Sequence, residues 1–86
     1  MLNRHIEIII NNNIEYYFRL YTGFCRNTSI EYYKKLVKKC YFDAIMTYDN
    51  YYSFKYRIIT SKDKSSLILK IWCDGKQITY LEIILP

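Results

Sequence analysis

Residues 5 to 21, HIEIIINNNIEYYFRLY, decide the fold, because everything after them can be arranged only once their backbone is assigned. The stretch from His5 to Ile10 is rich in β-branched residues and runs into Asn11-Asn12-Asn13, a cluster that tolerates left-handed backbone. Beyond it, Ile14, Tyr16, Phe18 and Leu20 alternate with Glu15, Tyr17, Arg19 and Tyr21, the period of a half-buried strand. With the asparagines as a loop, Ile10, Ile8 and Ile6 fall opposite Ile14, Tyr16 and Phe18, and His5 falls near Arg19. This reading predicts an opening β-hairpin.

Further along, Thr28-Ser29-Ile30-Glu31 has the capping-box pattern of a helix N-terminus. At 100° per residue, Ile30, Tyr33, Leu36, Val37, Cys40 and Tyr41 share one arc, and Lys34, Lys35, Lys38 and Lys39 occupy the other, so an amphipathic helix is expected over residues 28 to 41. Tyr48-Asp49-Asn50-Tyr51 reads as a tight turn pairing Ile45 with Phe54 and Thr47 with Tyr52. The strand after it would place Tyr52, Phe54, Tyr56 and Ile58 inward and Ser53, Lys55 and Arg57 outward. After a polar loop at residues 61 to 65, Asp74-Gly75 is a strong type I′ signal. Its two-residue turn sets Leu69 opposite Tyr80 and Ile71 opposite Ile78.

The expected fold is therefore α+β, with order β-β-α-β-β-β-β: an antiparallel sheet of five to six strands and one amphipathic helix on one face. The opening hairpin followed by a helix resembles ubiquitin-like grasp folds in topology, which carries no function. A chain of 86 residues reads as a single domain over 1–86, since a second core has no material to form from. The uncovered side of the sheet is where a partner is expected.

Composition narrows the function by exclusion. Apolar residues with tyrosine make up 51% and charged residues 24%, values of a folding chain. No apolar run is long enough to span a bilayer and no signal peptide is evident, so the expectation is no membrane and a cytoplasmic location, the host cytoplasm for a viral protein. Ala and Val appear once each in a sequence dominated by Phe, Tyr, Ile, Asn and Lys, whose codons are largely AT-rich. That fits an accessory protein of a virus, phage or mobile element. The net charge of +5 favours polyanions or acidic protein surfaces. Cys25, Cys40 and Cys73 lack zinc or redox spacing, so reduced thiols and no metal or cofactor are expected. With His5 as the sole imidazole and no glycine-rich phosphate loop, the chain reads as no enzyme.

Two functions fit what is left. The first is a non-catalytic binding protein that inhibits or modulates a host protein or ribonucleoprotein, such as a CRISPR-type effector. The alternative is a single-stranded RNA- or DNA-binding protein. Both draw on one expected surface, Tyr17, Arg19, Tyr21, Tyr51, Lys55, Arg57, Lys70 and Trp72, where rings can stack or anchor and cations can meet anions. Ile9, Ile68, Leu81 and Ile83 would extend it with apolar area, which also suggests a homodimer. The helix lysines Lys34, Lys35, Lys38 and Lys39 form a secondary basic patch.

Overall fold

A computed structural model describes residues 4–23 and 29–85. Its elements are α1 (Arg4–Thr22), α2 (Ile30–Ile45), β1 (Phe54–Thr60), β2 (Ser66–Cys73) and β3 (Lys76–Ile84). The chain is thus α+β with two helices and a three-stranded antiparallel sheet, which corrects the expected five to six strands and single helix. The likeness to grasp folds fails with the opening hairpin on which it rested.

Residues expected to form two strands make one helix that runs straight through the asparagines. The cause is an overlap of two periods. Ile6, Ile10, Ile14 and Phe18 recur every fourth residue, so they satisfy the two-residue repeat of a strand and one stripe of a helix equally well. Ile10, Ile14 and Phe18 are buried, whereas Ile8, Tyr16 and Leu20, which a strand would bury beside them, are 49%, 63% and 53% exposed. Each helical Asn costs up to about 0.7 kcal/mol relative to Ala. Burying one large apolar side chain contributes about 1.5 to 3 kcal/mol, so the packed stripe outweighs the local preference.

The second helix forms where expected, with its cap one residue later. Ser29 is the N-cap, and the Tyr32 amide donates to its Oγ at 3.3 Å. Thr28, the expected cap, lies outside the described residues. At the other end α2 continues to Ile45 because Ala44 and Ile45 extend its buried stripe. The Tyr48 and Asp49 amides donate to the Ile45 carbonyl at 2.8 and 2.9 Å, so residues that were to pair with Tyr52 and Phe54 close the helix instead.

The sheet has order β1-β2-β3. In the first connection the Asp63 carboxylate accepts from Ser61 Oγ at 2.9 Å, Ser65 Oγ at 2.7 Å and the Ser65 amide at 3.0 Å. These bonds, led by the Ser65 hydroxyl, hold its pKa down at about 2. In the second, Asp74 and Gly75 both have positive φ, 51° and 85°, as a type I′ turn requires. Cys73 pairs with Lys76 and Trp72 with Gln77, the register of a two-residue turn. An irregularity between Ile71 and Trp72 then shifts the pairing by one, so Ile71 meets Thr79 and Leu69 meets Leu81, in place of Ile78 and Tyr80. One extra residue reverses which side chains face the core.

Both helices lie on the same side of the sheet. Ile10, Ile14 and Phe18 of α1 and Tyr33, Val37, Cys40 and Tyr41 of α2 share a core with Leu67, Leu69 and Ile71 of β2 and Ile83 of β3. Cys40 and Cys73 are buried free thiols, and Cys25 lies outside the described residues. Among the described residues, no helix is long and apolar enough to cross a membrane.

Candidate binding face

The helices cover one side of the sheet and, among the described residues, nothing covers the other. Register fixes what that open face displays. Lys55, Trp72 and Gln77 stand in one row across the strands, Arg57, Lys70 and Tyr80 in the next, and Ile59, Ile68 and Glu82 in a third. Neighbouring strands lie about 4.8 Å apart and successive same-face residues about 6.7 Å apart along a strand, so the rows form a shallow grid.

Like charges are directly opposed in the middle of that grid, where Arg57 pairs with Lys70. Lys55 lies one row away on the Arg57 strand, facing Trp72. No carboxylate of the described residues pairs with any of these cations; the Lys and Arg ion pairs found are Lys34–Glu31 at 3.5 Å and Lys39–Asp43 at 4.0 Å, both elsewhere. Glu82 supplies the only acidic side chain in the three rows. The Lys70 ammonium leans over Tyr80 instead, 5.6 Å from the ring centroid, which carries it away from the Arg57 strand. Apolar area is interleaved with the charge: Ile59, Ile68 and Trp72 are half-buried, while Tyr80 and Ile84 are largely exposed.

Of the eight residues the sequence singled out, the structure brings Lys55, Arg57, Lys70 and Trp72 together. Tyr51 is 79% exposed just before β1. Tyr17, Arg19 and Tyr21 belong to α1 in the helix layer and not to the sheet. Tyr17 stacks on Tyr21 with ring centroids 6.0 Å apart, and the Tyr21 hydroxyl donates to Asp43 Oδ2 at 2.7 Å. That hydrogen bond is the main reason the Tyr21 phenol is pushed up to about 12. Lys39 lies 5.2 Å from the Tyr21 ring centroid, so these residues form a seam between α1 and α2. Arg19 borders a groove of about 430 Å³ between α1 and the end of β3, where Glu15 and Glu82 also stand. With two carboxylates to one arginine the groove lining leans acidic, whereas the open face, which shares Glu82, leans basic.

Lys35 and Lys38 are exposed on α2, behind the sheet, so the helix lysines and the open face make two surfaces. Of the apolar residues expected on the open face, Ile68 is there, Ile9 is helical, and Leu81 and Ile83 face the core. Tyr80 is the site residue that sequence reasoning missed. An uninterrupted hairpin puts it opposite Leu69 in the core, and the bulge turns it outward. No local sequence signal marks the bulge: the pairing register alone shows Ile78 as the extra residue and puts Thr79 in the buried position.

Chemistry at other points is sparse. His5 is exposed on α1 and not in a strand. Among the described residues no three His, Cys, Asp or Glu side chains group so that they could hold a metal ion. Comparisons with protein-family models, curated proteins and solved structures returned no match.

Proposed function

We propose that this chain is a small non-catalytic binding protein whose working surface is the open face of its sheet. The direct opposition of Arg57 and Lys70 carries the reading. Like charges opposed across a strand pair are destabilising, and the half-buried Trp72, Ile59 and Ile68 around them gain nothing from contact with water. A macromolecular partner with anionic groups relieves both at once, by neutralising the cations and covering the apolar area. Rings and an arginine beside aliphatic residues are also the side chains that dominate binding energy where surfaces meet.

A photo-crosslinking side chain placed at Gln77, exposed in the Trp72 row, tests this against the same side chain at Lys35 on α2. In lysate of the encoding organism, the Gln77 position is expected to give adducts that excess unlabelled protein competes away and that Arg57→Glu abolishes. Equal adducts from Lys35, or none from Gln77, would overturn the proposal.

A further inference from the structure

We infer that the open face takes single-stranded nucleic acid, with a backbone phosphate held between Arg57 and Lys70 and a base stacked on Trp72. This rests on the open face being the working surface and names its ligand class. Three features of the face select that class. In the three described rows the cations Lys55, Arg57 and Lys70 stand with one carboxylate, Glu82, so these rows are complementary to repeated negative charge. Arg57 and Lys70 are held opposite each other by register, with the Lys70 ammonium 5.6 Å from the Tyr80 ring centroid, so two cations and a ring stand together where a phosphate would bind by charge-assisted hydrogen bonds. Finally, Trp72 and the 60%-exposed Tyr80 put rings beside those charges, and any base can stack on a ring while its phosphates meet the cations.

A protein partner could anchor on the rings, but it does not repeat a flat ring face beside a negative charge along its length as a single strand of nucleic acid does. A duplex fits poorly, because its major groove admits a helix or a two-stranded ribbon and this face is a three-stranded sheet backed by helices. Unpaired bases splayed onto a flat aromatic and basic surface meet neither objection.

Trp72 is the sole tryptophan, so the proposed contact carries its own fluorophore. Fluorescein-labelled oligouridylate and oligothymidylate of about 15 nucleotides, a length within the usual single-strand site sizes, would be titrated with the full chain. Three neutralised phosphates predict that affinity falls about 15- to 20-fold between about 50 mM and about 200 mM salt. Binding should quench Trp72 emission. Arg57→Ala with Lys70→Ala should flatten the salt dependence to about a single charge's worth. Trp72→Leu should weaken binding about 5- to 100-fold, and Trp72→Phe, which keeps a ring, should recover most of it. Polyphosphate of matched charge should bind with salt sensitivity and leave the emission unchanged.

Absence of salt-sensitive oligonucleotide binding overturns the inference, as does binding that ignores both sets of substitutions. If the oligonucleotides fail while the Gln77 crosslink captures an acidic protein, the nucleic-acid assignment falls and the open face stands as the working surface. If both fail, both fall. Thermal melts of each variant separate lost binding from lost folding.

Discussion

Thr79 Oγ1 donates a 2.8 Å hydrogen bond to Asn11 Oδ1, joining the middle of α1 to the middle of β3 across 68 positions of sequence. Thr79 is almost wholly buried, so its hydroxyl depends on a protein partner, and the helical asparagine that looked like a turn residue supplies it. Replacing Asn11 with Ala should therefore destabilise the fold by about 1 to 3 kcal/mol, because a buried polar group is left without a partner. Combining it with Thr79→Val should return much of that loss. Urea denaturation of the two singles and the double variant measures the coupling, and strictly additive losses would contradict it.

Asn12, one residue on, is exposed and helical. Asn12→Ala should raise stability by about 0.5 kcal/mol, since only helix propensity changes there. In a left-handed turn the same change would lower it. A melting temperature that falls would therefore argue against a continuous α1.

The β2–β3 turn is tied to the start of β1 through Asp74, whose carboxylate accepts from the Ser53 amide at 2.9 Å and whose own amide donates to the Ser53 carbonyl at 2.8 Å. Gly75 has φ of 85° and open space around a Cβ placed there, so Gly75→Ala costs backbone strain alone, about 1 to 2 kcal/mol. Asp74→Ala should cost at least as much, because it also removes the Ser53 contact. Chemical denaturation of both variants checks the order, and a neutral Asp74→Ala would show that the tie carries no weight.

Lys70→Glu sets stability against binding. It turns the opposed Arg57 pair from like to unlike charge and should add about 0.2 to 1 kcal/mol to folding stability. It should also abolish anion binding by the open face. A variant that is both less stable and still competent to bind would contradict the description of that face.

Alkaline pH should unfold the protein early. Burial pushes the Cys40 thiol up to about 12 from an ordinary 9.0, and the Tyr41 phenol up to about 12 from 10.0; the Cys73 thiol is raised too, chiefly by burial. Each folded-state value lies above the unfolded one, so the neutral groups contribute fully below about pH 9 and their contribution is lost as pH rises toward 12. The decline should reach at most about 1.4 kcal/mol per pH unit per group. Cys40→Ala should make it shallower between pH 9 and 10. Denaturant midpoints measured from pH 8 to 11 test this, and a flat curve would be inconsistent with the buried thiol and phenol.

Legibility followed how far each signal depended on distant residues. The capping segment, the lysine stripe of α2, the Asp74-Gly75 turn and the inward and outward parity of Tyr56 and Arg57 were readable because local sequence alone sets them. Residues 5 to 21 misled because apolar residues at every fourth position also fit a repeat of two. The extra strand at Ile45 was an expectation of turn chemistry that lost to burial of Ala44 and Ile45 on α2. On the open face, Lys55, Arg57, Lys70 and Trp72 were legible from alternation, but Tyr80 was hidden by a bulge.

By itself, the sequence determined that residues 54 to 84 hold alternating strands, that the Asp74-Gly75 turn reverses the chain, and that Lys55 and Arg57 point away from Tyr56, since dihedral preference and side-chain parity act between near neighbours. Tertiary structure alone decided that residues 4 to 22 coil and that Tyr80 faces outward. Both outcomes depend on which apolar surface is present to be covered, and that surface exists only once α1, α2 and the sheet have met.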